Sequence, residues 1–272
     1  MKKTNVKNEF CLKSILAKRK KQSDASVNAV IDKNTEFSIK EAYKTLRTNI
    51  LFSLPNDGKH KVIVTTSAVP GEGKSTTVIN LAITFSQIGS RVLIVDGDLR
   101  KPKIHKYLAV DNNKGLSGVL SGFVEAEDAI KKTEYGFDCI TAGSVPPNPS
   151  ELIGSTKLSE LLTDLGEKYD YIFIDSPPVT VVSDTLTIAA ISDGVLLIAR
   201  ASYTPKSLLK QSINNIKITK AKIIGVVVNA VDTKKHAYGA YKGKYYSRGR
   251  YGGYGKYGYH YHYYSSEPKI KE

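Results

Sequence analysis

Val62-Ile63-Val64-Thr65-Thr66-Ser67-Ala68-Val69-Pro70-Gly71-Glu72-Gly73-Lys74-Ser75 is the stretch that decides the fold. Residues 62–66 are apolar or β-branched without polar alternation, as in a strand buried on both faces. Gly71 and Gly73 can take backbone angles closed to other residues, and Lys74 opens a helical pattern. Such a strand, turn and helix start points successive N–H groups at one oxygen-rich anion, and the helix end adds positive partial charge. Lys74 is expected to reach the β- and γ-phosphates of ATP, and the Ser75 hydroxyl to bind Mg2+. Gly71, Glu72, Gly73, Lys74, Ser75 and Thr76 are the nucleotide-binding set. The first glycine of the usual G-x-x-x-x-G-K-[ST] pattern is replaced by Ala68.

Outward from this loop, strand and helix patterns alternate. Residues 92–95, 139–142, 171–174, 195–199 and 223–228 read as further buried strands. Helical patterns are clearest at 74–87, 157–165 and 205–219, where Thr204 and Pro205 suit a cap and first turn. A helix from Ser38, read as its cap, to about Leu54 carries Ile39, Ala42, Tyr43, Leu46 and Ile50 at helical spacing. The fold class is therefore α/β, a P-loop NTPase-like parallel sheet covered by helices on both faces. Ligands in such sheets sit at the carboxyl ends of the strands.

Two of those ends deliver carboxylates. Residues 92–95 run into Asp96-Gly97-Asp98-Leu99-Arg100-Lys101-Pro102, and residues 171–174 into Asp175-Ser176-Pro177-Pro178. Magnesium takes one or two carboxylates together with substrate phosphates and water, so Ser75, Asp98 and Asp175 form the expected metal set. Asp96 and Asp98 are two apart and face one side in an extended segment. Asp98 is assigned to the metal and Asp96 to the proton of the incoming hydroxyl, so the catalytic set is Lys74, Asp96 and Asp98. Arg100 is read either as neutralising transition-state charge or as pairing with an acid.

The 272 residues suit one large domain with appendages. Residues 1–37 read as a basic arm and linker, 38–233 as the folded domain, and 234–272 as a disordered tail. The formal charge is +14, and it sits at the ends: residues 1–21 carry eight Lys or Arg against Glu9, and residues 234–272 carry nine against Glu267 and Glu272. The amino-terminal arm, with Phe10, Leu12, Ile15 and Leu16, could lie on anionic lipid or on a partner. The tail holds eleven of the seventeen tyrosines among Gly, Lys, Arg and His, with only Ala237, Ala240 and Ile270 as aliphatic residues, too few to close a core. No run is long and apolar enough for a membrane span, and no signal-peptide pattern opens the chain, so cytoplasmic residence is expected. Cys11 and Cys139 match no zinc spacing and form no disulfide framework.

On the loop, the 92–102 segment, the Asp175-Ser176-Pro177-Pro178 segment and the tyrosine-rich tail, the chain resembles the bacterial tyrosine kinases of capsular and exopolysaccharide biosynthesis, the BY-kinase family. The resemblance covers residues 38–264. It implies an ATP- and magnesium-dependent protein-tyrosine kinase that phosphorylates its own tail, between subunits, at Tyr251, Tyr254, Tyr257, Tyr259, Tyr261, Tyr263 and Tyr264. It also implies a transmembrane polysaccharide co-polymerase adaptor that recruits the enzyme to the inner face of the plasma membrane and activates it, and protein substrates in polysaccharide biosynthesis. The family's E-x-x-R-x-x-R helix, used in ring-like self-association, corresponds to Glu41, Lys44 and Arg47, with Lys44 in place of the first arginine. Asn229 matches a position that contacts adenine in related ATPases. The runner-up reading is a partitioning or positioning ATPase that binds a surface or nucleic acid. Such ATPases carry an extra lysine early in the loop, where this chain has Val69, and nucleic acid is not an expected partner.

Overall fold

The computed structural model of the protein describes residues 30–231. The basic arm, Cys11 and the tail with its eleven tyrosines lie outside the described residues. Among those described, seven strands form one sheet: β1 (Lys61–Ser67), β2 (Val92–Asp96), β3 (Ile130–Lys132), β4 (Asp138–Ile140), β5 (Tyr171–Asp175), β6 (Gly194–Arg200) and β7 (Ile223–Asn229). Their order is β3-β4-β2-β5-β1-β6-β7. Every neighbouring pair is parallel except β3 and β4, which are antiparallel. The sheet is thus mixed at one edge, and β3 is a strand that Ile-Lys-Lys does not advertise.

The helices are α1 (Phe37–Ser53), α2 (Lys74–Ser86), α3 (Ile104–Tyr107), α4 (Leu116–Leu120), α5 (Ala126–Ala129), α6 (Pro149–Ile153), α7 (Thr156–Lys168), α8 (Asp184–Ala190) and α9 (Lys206–Ile218). Side chains alternate across each strand and so split it between two cores. Val62 and Val64 of β1, Leu93 and Val95 of β2, and Ile172 and Ile174 of β5 face one layer, sealed by Leu158, Leu161, Leu162 and Leu165 of α7 with Ile188 of α8 and Ile216 of α9. Ile63, Ile94 and Phe173 face the other, filled by Val78, Ile79, Leu81, Ala82 and Phe85 of α2 and by Ile50 of α1. Phe85 meets Tyr171 and Phe173 at ring-centroid distances of 4.5 and 5.3 Å. Strands β1, β2, β5 and β6 are buried on both faces, and for that reason they read as continuous apolar runs; β7, read from its apolar run as another buried strand, is instead an edge strand with Val226 and Val228 exposed.

Two local expectations give way. Helix α1 begins at Phe37 after Glu36, and Ser38 lies inside it, donating its hydroxyl to Glu36 Oε1 at 2.7 Å instead of capping. Val30 and Ile31, within the stretch read as linker, are buried, and the Ile31 N–H donates to Asn80 Oδ1 on α2 at 2.8 Å. Packed chain therefore starts no later than Val30. No helix among the described residues is long and apolar enough to cross a membrane.

Cys139 lies fully buried on β4, and burial pushes its thiol up to about 12. Thiolate is the reactive form. In a Cys11→Ser background, Ellman's reagent at pH 8 is expected to titrate no thiol in native protein and one after denaturation; rapid native labelling would contradict the burial.

Candidate functional site

The loop between β1 and α2 lies at the carboxyl end of a central strand, flanked by β5 and β6. Gly71 and Gly73 take φ of +86° and +92°, which L side chains rarely adopt, and a Cβ at Gly73 would stand 2.7 Å from Asn229 Nδ2. Gly73 immediately precedes α2, so the free N–H groups of that helix start face the loop's concavity. A groove of about 120 Å3 is lined by Gly71, Lys74, Ser75 and Asp98 together with Arg100 and Pro177. Thr76 follows half-buried on α2. A larger cavity of about 750 Å3, lined by Lys61 and Tyr171 at the amino ends of β1 and β5, lies at the opposite end of the sheet from this chemistry.

Register brings the carboxylates together. Asp96 of β2 sits opposite Asp175 of β5, and Asp175 opposite Thr65 of β1. The Ser75 hydroxyl donates to Asp175 Oδ2 at 2.5 Å, while Asp175 Oδ1 is buried without a hydrogen-bond partner. Burial pushes the Asp175 carboxyl up to about 6, against the pull of Lys74 and the Ser75 hydroxyl. Asp96 is fully buried, and burial, then the Asp175 charge, raise its pKa well above the usual carboxylate value. Its Oδ2 accepts from the N–H groups of Lys103 and Ile104, both at 3.1 Å. Strand β2 ends at Asp96, so the extended geometry expected to put Asp96 and Asp98 on one side does not hold: Asp96 points inward, and Asp98 lines the groove. The donor set suits magnesium. A buried, unpartnered carboxylate oxygen next to a hydroxyl leaves room for a hard cation that fills its shell with phosphate and water. Among the described residues no three His, Cys, Asp or Glu form a metal cage of their own.

Residues 60–226 match the family described as an AAA domain. The chain is 38% identical over 203 residues to the tyrosine-protein kinase YwqD of Bacillus subtilis, covering 74% of this chain and 85% of YwqD. The chain belongs to the bacterial tyrosine-protein kinases. It is also 36% identical to CapB of Staphylococcus aureus over 219 residues, 80% of this chain and 95% of CapB. The kinase domain of the Escherichia coli tyrosine kinase ETK superposes with a TM-score of 0.69 at 33% identity, covering 71% of this chain and 75% of that one.

In this tyrosine kinase several expected contact residues serve as braces. The Glu72 side chain is turned away from the groove and buried: it accepts from the Val69 N–H at 2.9 Å and from the Thr204 hydroxyl. Asn229 Nδ2 donates to the Glu72 carbonyl and the Thr77 hydroxyl, both at 3.0 Å, so both of its N–H groups brace the loop. Thr204, expected to cap α9, instead ties that helix's approach to the loop. Arg100 pairs with an acid, with Nε 2.9 Å from Asp184 Oδ2 and Nη2 2.7 Å from Ser150 Oγ, and it also lines the groove. Sequence reading missed Asp184, Ser150, Tyr203 and Thr204 as site-supporting residues. Asp184 reads locally as a helix-start acid, and its partner lies 84 residues upstream.

On α1, Glu41 and Lys44 pair with each other at 2.8 Å, and Arg47 Nη1 donates to the Thr84 carbonyl of α2 at 2.6 Å. Arg47 thus braces α1 against its own domain, and Glu41 and Lys44 remain at the surface.

Proposed function

We propose that the kinase uses ATP and magnesium to phosphorylate the tyrosine cluster of its own tail, between subunits, and thereby regulates capsular or exopolysaccharide assembly. The observation that carries the catalytic part is the Ser75 hydroxyl at 2.5 Å from Asp175, next to an unpartnered Asp175 oxygen and in the groove that Lys74 lines. The loop N–H groups and Lys74 hold and neutralise the phosphates. Ser75 and Asp175 would hold magnesium, with Asp98 reaching it through water. When bound, the ion neutralises charge building on the β- and γ-phosphate oxygens. Asp96 takes the phenolic proton once the acceptor enters, which requires the 98–103 segment that covers it to shift. A loose phosphoryl-transfer transition state asks little of that base.

The resemblance to the capsule and exopolysaccharide kinases supports the remaining assignments. These are a transmembrane polysaccharide co-polymerase adaptor that brings the enzyme to the inner membrane face and stimulates it, homo-oligomerisation through Glu41, Lys44 and Arg47, and protein substrates in the same process. A flexible chain of 33 residues, the length from 232 to 264, would have a root-mean-square reach of roughly 30 Å. Each phosphotyrosine adds about −1.5 to −2 charges, so roughly four cancel the basic excess of the tail. Labelled ATP with magnesium is expected to leave label on tyrosine. Replacing Tyr251, Tyr254, Tyr257, Tyr259, Tyr261, Tyr263 and Tyr264 with Phe is expected to cut incorporation about tenfold or more, by removing the acceptors that carry the reach argument. Undiminished labelling would place the main acceptor elsewhere, and label found only as free phosphate would favour a positioning ATPase.

A further inference from the structure

Six tyrosines fall among the described residues: Tyr43, Tyr107, Tyr135, Tyr169, Tyr171 and Tyr203. Five are buried or half-buried, and Tyr203 is exposed at 51%. It sits on the loop joining β6 to α9, where Ser202 takes φ of +57°, an uncommon angle for a residue with a side chain. That loop grips the phosphate loop at three points. The Tyr203 hydroxyl donates to the Pro70 carbonyl at 3.1 Å, Arg200 Nη1 donates to the Gly71 carbonyl at 3.4 Å, and the Thr204 hydroxyl donates to the Glu72 carboxylate. The Arg200 guanidinium also lies 5.4 Å from the Tyr203 ring centroid. The one exposed tyrosine of the described domain therefore touches the part of the enzyme that binds nucleotide phosphates.

We propose that Tyr203 is a second phosphorylation site of this kinase, modified by another copy, and that phosphate there weakens ATP binding by loosening the grip on the phosphate loop. The inference rests on the proposed transfer between copies. In the step, a bond forms between Tyr203 Oη and the γ-phosphorus of ATP held by the donor copy. The bond from that phosphorus to the β–γ bridging oxygen breaks, ADP leaves with the electron pair, and the phenolic proton passes to the donor's carboxylate or to solvent.

Three consequences follow from geometry. A phosphorylated Oη has no hydrogen to give, so the bond to Pro70 is lost and an anion faces that carbonyl. Arg200 already lies against the Tyr203 ring, and a phosphate is a stronger acceptor for a guanidinium than a peptide carbonyl, so Arg200 is drawn off Gly71. The new charge, about −1.5 to −2, stands beside a loop whose task is to attract a polyanion. Thr204 and Asn229 keep their hold on Glu72, so the loop is loosened without being released.

The test uses the full chain in which the seven tail tyrosines from Tyr251 to Tyr264 are Phe, with Tyr203 retained. After incubation with magnesium and ATP, peptide mass spectrometry is expected to find phosphate at Tyr203. ATP affinity, measured after removal of nucleotide, is expected to fall about tenfold or more, given the charge placed at the loop. Adding Tyr203→Phe to the same chain should leave affinity unchanged by incubation, whatever its starting value. Full-length wild-type acting on Lys74→Met protein should also mark Tyr203, because the acceptor copy needs no activity. The proposal is overturned by an unmodified Tyr203 under conditions that phosphorylate the wild-type tail, or by phosphate at Tyr203 with affinity unchanged. Absence of phosphotyrosine anywhere on wild-type protein overturns the transfer proposal with it.

Discussion

Lys74→Met protein loses tyrosine phosphorylation by about 10²- to 10³-fold, the cost expected for removing one preorganised charge from a phosphoryl-transfer site. Lys74 is half-buried at the first residue of α2 and lines the groove shared with Ser75 and Asp98. Methionine keeps an unbranched stem of comparable length and good helix propensity, so the change removes charge and little packing. Circular dichroism and the unfolding midpoint should stay close to wild type, while transfer of labelled phosphate to tyrosine collapses. The Gly71 and Gly73 backbone still offers its N–H groups, so residual nucleotide binding is weakened and not abolished. A variant that consumes ATP at the wild-type rate would mean that the loop after β1 is not where the phosphates sit.

The chemistry was legible where it is local, and hidden where it depends on chain folding back on itself. Lys74, Ser75 and Asp175 announce themselves because each lies at a fixed offset from an apolar strand, and parallel strands in register bring their carboxyl ends together. Helices α7 and α9 could be read because each spans several turns with one apolar face, and α2, buried on almost every side, because it opens directly from the phosphate loop. The short helices α3 to α6 and the edge strand β3 have three to five residues apiece, too few for a period to show. Asp96 and Asp98 look interchangeable in sequence. Only the end of β2 at the first of them separates a buried carboxylate from one that faces the groove. The braces were least legible of all. Nothing near Glu72 in sequence shows that its carboxylate is tied to Thr204, 132 residues later.

Asp175→Asn is expected to stabilise the metal-free kinase at neutral pH while abolishing its activity, and the pH dependence gives the sign. An ordinary aspartate titrates near 3.8, and burial lifts Asp175 to about 6. The folded state therefore holds this proton more tightly than the unfolded chain. The associated stability is fully present below about pH 4 and is lost as pH rises through about 6. Above that the carboxylate is charged in a dry site with one oxygen unpartnered. Asparagine carries no charge and can still accept from the Ser75 hydroxyl, and it also relieves Asp96 of the Asp175 repulsion that helps raise its pKa. In the absence of divalent ions, the variant's advantage should grow by on the order of 2 to 3 kcal/mol between pH 4 and pH 7 and then level off. Adding magnesium and ATP should reverse the ranking, because ligand that binds only the native state stabilises it, and the variant has lost a metal-holding oxygen. Thermal unfolding at pH 4.5, 5.5, 7 and 8, with and without magnesium and ATP, measures both. A difference that stays flat across this range would show that Asp175 is solvated, and with that the physical reason for placing a divalent ion between β5 and the phosphate loop would be gone.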